Sequence, residues 1–300
     1  MSPSCFASRR GLTLLELVVV LTILAVLTTV AVRSLEPIAD QSRYEQTQVV
    51  LNDLRLAIAG ASNVRGQNSL NFSTGYALDT GALPSSLDDL LTLPVGIIDR
   101  TLYTFDSDRD STDDVTLTSG WNGPYLQLGA GSSAILDGWG AAPSLSVASG
   151  DLTIGSLGSD GDSLAPEEGY QKDLAVAIQQ SEYLSAIVFR LYDIDSLSGS
   201  RIDPSPSGTQ QLGVLFYAVN ATGGTDGSVA EQLIVISNTG SFEHRRPSTL
   251  VGTTAARAIL WDDTNSNDVL DIGETIIRKS IVHYPVVTPR MDTRVEMELR

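Results

Sequence analysis

Between Leu12 and Val32 the chain is apolar at every position except Thr13, Glu16, Thr22, Thr28 and Thr29. About 20 residues at a 1.5 Å rise match a hydrocarbon layer of roughly 30 Å, so the pattern predicts a helix that spans a membrane to about residue 33. Arg9 and Arg10 stand just before it and are expected on the cytoplasmic side, leaving everything after Arg33 outside. Helical spacing continues with Val50, Leu54, Ala57, Ile58 and Ala61, while Asn52, Asp53 and Arg55 turn elsewhere. The pattern predicts one helix over 12–62, about 75 Å long, with a kink or short melted stretch near Arg33 to Pro37, because proline lacks an amide donor.

After Gly60 the text changes to Gly, Ser, Asn and Thr, which signals a loop. Beyond Tyr183 the chain reads as short or alternating apolar runs: AIVFRLYDI, LGVLFYAV, QLIVIS, ARAILW, ETIIRKSIVHY and TRVEMEL. Gly, Ser, Asn and Pro punctuate them, and this rhythm predicts a β-sandwich or a comparable all-β module over 181–300.

With 300 residues, 42% of them hydrophobic, the chain can fill a real core. Its formal charge is −17, almost all of the excess lying beyond residue 70. Nucleic acid needs clustered Lys and Arg, so none is expected as a partner; cations are favoured instead. The single cysteine, Cys5, precedes the apolar run and would leave with a cleaved leader, so no disulfide framework is available. Bound metal is one other way to hold loose loops.

Glu16 inside the apolar run demands an explanation, since a carboxylate at membrane depth costs about 2.5–3.5 kcal/mol. An ordinary secretory signal has a shorter apolar core without such a charge. Ser8, Arg9 and Arg10 suggest a twin-arginine signal, yet two arginines before a helix are also what orientation requires. The run Gly11, Leu12, Thr13, Leu14, Leu15, Glu16, Leu17 resembles the class III signal of type IV pilins and pseudopilins. That resemblance implies a cut by prepilin peptidase after Gly11, N-methylation of Leu12, and a Glu16 that pairs with the amino terminus of a neighbouring subunit. Leu12 departs from the commoner phenylalanine.

The resemblance extends further. GYALDTGALPSSLDDLL (Gly75 to Leu91), WNGPYL (Trp121 to Leu126), DGWG (Asp137 to Gly140) and SLGSDGD (Ser156 to Asp162) follow the order found in major pseudopilins of type II secretion systems. Gly138 stands where that family usually has proline, and the loop from Leu93 to Thr118 is longer than a minimal pseudopilin needs. Without the family, Trp121, Tyr125 and Trp139 between glycines read as packing anchors. The implied fold is α+β: a leader over 1–11, the long transmembrane and assembly helix over 12–62, a pilin-like α/β head over 63–180, and the sandwich-like C-terminal module over 181–300.

Three acidic stretches carry oxygen ligands at calcium-loop spacing. In DTNSNDVLDIGE, Asp263, Asn265, Asn267, the Val269 carbonyl, Asp271 and Glu274 fill positions 1, 3, 5, 7, 9 and 12 of the EF-hand scheme. Asp268 replaces the usual glycine at the sixth place, and an acidic hairpin turn is the alternative. In FDSDRDSTDD, Asp106, Asp108, Asp110 and Asp114 repeat the alternation without a carboxylate at the twelfth place. In the third, the pseudopilin resemblance implies calcium ligands at the Leu157 carbonyl, Asp160 and Asp173, against a plain Asp/Gly turn.

No enzyme is expected: His244 and His283 lie without a zinc or nucleophile motif, and no phosphate-binding glycine loop appears. The reading is a single-pass protein of the bacterial inner membrane with its head in the periplasm, assembled into a pseudopilus for type II secretion. Its partners are prepilin peptidase, other pseudopilin or pilin subunits and an inner-membrane assembly platform, and its cofactor is calcium. A minor or adhesive type IV pilin, or a calcium-binding protein that stays anchored and never polymerises, is the alternative.

Overall fold

The computed structural model describes residues 14–60, 75–129, 131–163, 169–221, 224–236, 242–271 and 273–300. Helix α1 (Leu14–Ala59) is 46 residues long, about 69 Å at 1.5 Å per residue. It runs unbroken through Pro37, so the melted stretch expected there does not form. It also stops short of residue 62: Gly60 takes a left-handed φ of 74° and its N–H donates to the Leu56 carbonyl at 2.9 Å, which closes the helix.

The last turns of α1 are covered. Leu51, Leu54, Ala57 and Ile58 sink into a core with Tyr76 of α2 (Tyr76–Thr80), Leu90, and Leu152, Ile154 and Ile178. A hairpin, β1 (Thr101–Phe105) with β2 (Val115–Ser119), follows α2. Next come β3 (Ser144–Ala148), β4 (Asp151–Ser156) and β5 (Leu174–Ile178), which form an antiparallel three-stranded sheet ordered β3-β4-β5 against α1.

The short α3 (Gln180–Tyr183) leads into the strands β6 (Leu184–Ile194), β7 (Arg201–Ile202), β8 (Gln210–Val219), β9 (Val229–Ile236) and β10 (Glu243–Leu250). The chain ends with β11 (Gly252–Thr253), β12 (Ala255–Asp262), β13 (Ile276–Lys279), β14 (Val286–Val287) and β15 (Thr293–Glu298). Two sheets face each other, β10-β6-β15 and β13-β12-β8-β9, with β15 parallel to β6 and the remaining neighbours antiparallel. Ile187, Phe189 and Leu191 of β6 and Val295 and Met297 of β15 meet Val214 and Phe216 of β8 and Ala256 and Ala258 of β12. The architecture is thus an N-terminal helix followed by β-rich layers, with a β module at the C-terminal end.

The alternate residues of β8 and β12, Leu215, Tyr217, Ala255, Ile259 and Trp261, point away from that core and are buried as well. Val115 and Leu117 of the β1–β2 hairpin cover them. A strand covered on both faces reads as an unbroken apolar run, which is why LGVLFYAV and ARAILW show little alternation. The hairpin comes from the long loop between Leu93 and Thr118, and it crosses from the head to form a third layer on the C-terminal module.

Candidate assembly and cation-binding sites

Glu16 lies in the first turn of α1. Its apolar neighbours are open: Leu14 is 82% exposed and Leu17 52%. Gly11 and Leu12 lie outside the described residues. Among the described residues no helix is long and apolar enough to cross a membrane.

The DGWG turn docks on α1. Asp137 is buried; its Oδ1 accepts the N–H groups of Trp139 and Ala141, and its Oδ2 accepts the Ser156 hydroxyl at 2.6 Å. The Gly138 N–H donates to the Thr47 hydroxyl at 3.0 Å, and the Arg43 guanidinium lies 5.7 Å from the Trp139 ring centroid. WNGPYL is an anchor of the same kind: Trp121 Nε1 donates to the Asp89 carbonyl at 3.0 Å, and the Tyr125 hydroxyl donates to Asp79 at 3.0 Å. Trp121, Tyr125 and Tyr76 meet edge to face. Burial pushes the Asp79 pKa up to about 6, against the pull of the Tyr125 hydroxyl and the Arg100 charge.

In the 263–274 stretch the polar side chains bond to one another within the loop. Asp263 is buried, its carboxylate accepting the N–H groups of Asn267 and Asp268. Asn265 and Asn267 both donate to Asp271 Oδ2, at 2.7 and 2.8 Å, and these bonds hold the Asp271 pKa below its ordinary value. Glu274 accepts the N–H groups of Thr264 and Asp271. Val269 donates its N–H to Asn267, so the loop returns on itself. Asp268, standing at the place usually held by glycine, takes a left-handed φ of 60°. Sequence reasoning saw the departure in residue type, and the backbone there is still the one a glycine favours.

Around Leu157 a cradle forms. The turn lies so close to the following segment that a Cβ on Gly158 would meet the Gln171 carbonyl oxygen at 2.5 Å, and the Ser159 N–H donates to the Tyr170 carbonyl at 3.0 Å. Asp173 keeps one carboxylate oxygen, Oδ1, buried with no hydrogen-bond partner. An orphaned buried oxygen beside a tight carbonyl-rich turn fits a hard cation. Asp160 accepts the Asp162 N–H on the same turn.

The 106–114 stretch divides. Carboxylate oxygens of Asp106, Asp108 and Asp110 all lie within 4.8 Å of one another. Asp114 leaves this group: it accepts the Ser107 N–H and hydroxyl and a charge-assisted bond from Arg257. Asp108 accepts from Lys279 of β13 and stands 3.1 Å from Arg257. Burial would raise the Asp108 pKa, but the Lys279 bond and the Arg257 charge outweigh it and hold it below the ordinary value. On the other side, Arg109 pairs with Glu231 of β9, which also accepts the Tyr217 hydroxyl at 2.7 Å. Arg257 and Lys279 were missed as partners of this stretch. The available signal was Arg257 itself, a lone cation inside the apolar run ARAILW.

Among the described residues neither histidine belongs to a cluster of metal-ligating side chains. His283 pairs by backbone with Ala256, and burial lowers the pKa of both His244 and His283, with Arg246 adding to the effect at His244.

Residues 6–32 match the family model of the prokaryotic N-terminal methylation motif. The match supports a type IV pilin-like family. It implies processing by a prepilin peptidase and assembly with pilin subunits, and it suggests a membrane anchor. No curated protein and no solved structure matches the chain. In this pilin-like frame, the matched segment contains Gly11, Leu12 and Glu16, and the part of it described is the open, apolar start of α1. That end of the helix is available for intermolecular contact, while the far end is committed to the head.

Proposed function

We propose that the chain is a structural pseudopilin, inserted in the inner membrane through residues 12–33, cut after Gly11, methylated on Leu12 and assembled into a periplasmic pseudopilus for type II secretion. One observation carries this reading: the methylation motif covers residues 6–32, and Glu16 within it lies in the first turn of a helix whose apolar residues from Leu14 to Leu27 are exposed. Cleavage creates an α-amino group at Leu12, close in depth to Glu16. In a fibre, each carboxylate meets the new terminus of an adjoining subunit, where low dielectric strengthens the pair. The four phrases from Gly75 to Asp162 favour the major-pseudopilin type. In this reading the work of assembly comes from the inner-membrane platform.

Calcium is the proposed cofactor at two loops. The Leu157 carbonyl, Asp160 and Asp173 would hold one ion, supported by the orphaned Asp173 oxygen. Asp263, Asn265, Asn267, the Val269 carbonyl, Asp271 and Glu274 would hold another, supported by their spacing, by the bonds that tie the Asn265, Asn267 and Asp271 side chains together and by the left-handed Asp268. In both, the ion would fasten a loop that no disulfide can hold.

The sandwich beyond residue 181 favours a second reading, a minor or adhesive type IV pilin whose C-terminal module binds a surface. Mass spectrometry of the mature N-terminus tests the common core of both: a methylated Leu12 is expected, and an intact Met1 would leave a permanently anchored protein instead. Deletion of the gene then separates the two, by lost secretion for the pseudopilin and lost surface attachment for the pilin.

A further inference from the structure

The tip of the β1–β2 hairpin carries more negative charge than its protein partners neutralise. Asp106, Asp108 and Asp110 bring carboxylate oxygens within 4.8 Å of one another, a spacing at which like charges repel unless a cation shares them. Asp114 stands next to them, and among the described residues Arg257 and Lys279 are the cations paired with these four carboxylates. Arg109, in the same turn, is committed to Glu231. The four carboxylates thus carry two negative charges more than these two cations, and Asp113 in the same turn adds to the excess.

A second feature is independent of that count. The Asp108 side chain is 7% exposed, and its Oδ2 takes the contacts from Lys279 and Arg257. Its Oδ1 is buried with no hydrogen-bond partner. An unsatisfied buried carboxylate oxygen is costly. A metal ion bound at 2.3–2.6 Å from oxygen would satisfy such an atom.

We infer that Asp106, Asp108 and Asp110 bind one hard divalent cation, calcium by its oxygen ligands and tolerant geometry, and that this ion locks the β1–β2 hairpin onto the C-terminal module. Magnesium demands near-ideal octahedral geometry and suits a turn with these fixed constraints less well. The lock follows from the chain path. Asp108 is tied to β12 and β13 through Arg257 and Lys279, and Val115 and Leu117 cover Tyr217 and Trp261. An ion that holds Asp106 and Asp110 to Asp108 therefore holds the hairpin tip to the module. This site stands independently of the pseudopilus reading and of the other two loops.

Amide hydrogen exchange on the full-length chain in detergent tests it, comparing chelator-treated protein with protein in about 1 mM calcium, within the range that extracellular modules bind. Calcium is expected to slow exchange over 106–114 by about tenfold or more, with magnesium having less effect. Asp110→Asn is expected to abolish the response in that segment alone. Asp110 is exposed, and its one internal bond, from the Thr112 N–H, is kept by an asparagine oxygen. Unchanged protection of β8 and β12 shows that the variant folds. Absence of a calcium response over 106–114 in the parent chain, or its persistence in Asp110→Asn, would overturn the inference. Because 157–173 and 263–274 are read separately, failure here is distinguishable from failure of the calcium loops proposed above.

Discussion

The Arg43 carbonyl oxygen stands 2.0 Å from the point that a Cβ on Gly138 would occupy. No real side chain tolerates that distance, so the backbone of the DGWG turn lies directly against α1, secured by the Gly138 N–H on Thr47. The position where the pseudopilin resemblance implies proline is thus closed here to any side chain, and to a residue that lacks the N–H.

Gly138→Ala is expected to push the turn off the helix and cost about 2–3 kcal/mol, the upper part of the overpacking range. Thermal unfolding would show a fall of about 4–10 °C at this chain length. Thr47→Val, which removes only the hydroxyl partner, should cost about 1 kcal/mol. Equal melts for Gly138→Ala and the parent would mean that the turn and α1 do not touch in this way.

Arg257 is buried and serves Asp114, Ser107 and the Ser280 carbonyl. Removing one member of a buried charge pair leaves the other uncompensated, so Arg257→Met is expected to destabilise by about 3–5 kcal/mol. Asp114→Asn in the same background should recover part of that loss. Denaturant unfolding of the four proteins in a double-mutant cycle gives the coupling directly, and additive costs would deny the pairing.

Asp79 predicts a pH dependence. Its folded pKa is raised from 3.8 to about 6, so between these values the native state holds more proton than the unfolded chain. Stability contributed by the protonated carboxyl is fully present below about 4 and is lost as pH rises through about 6. Asp79→Asn keeps an oxygen for the Tyr125 hydroxyl and should flatten this slope, gaining about 2 kcal/mol at pH 7. Melting curves from pH 4 to 7 for both proteins check it; parallel curves would place the burden on another group.

Calcium removal should lower the melting temperature of the full chain by about 5 °C, as expected when an ion at many times its Kd is withdrawn from the folded state. Asp271→Ala is expected to remove part of that sensitivity. A melt indifferent to chelator would dismiss the metal loops.

For assembly, Glu16→Gln preserves size and hydrogen bonding but removes the charge. It is expected to reduce fibre yield by about tenfold or more, which corresponds to a lost interaction of only about 1.4 kcal/mol per contact. Electron microscopy and pelleting of sheared fibres measure it, and normal yield and length would count against the pairing with a neighbouring terminus.

The local features were legible in the residues because they depend on neighbours along the chain. The apolar start of α1, its charge at Glu16, the strands after Tyr183 and the EF-like spacing from Asp263 to Glu274 all follow from periodicity or fixed offsets. What residues distant in sequence do to one another was decided only by the tertiary structure. Asp114 is drawn away from its sequence neighbours by Arg257, and the hairpin leaves the head to cover Tyr217 and Trp261. Gly138 must be small because of Arg43. The unbroken helix at Pro37 belongs to the same lesson in reverse: a local penalty of about 3 kcal/mol is visible in sequence, whereas the balance that lets the helix continue is not. Burial, charge pairing and close approach between remote segments carry no signature in spacing, since they arise only when the chain has folded.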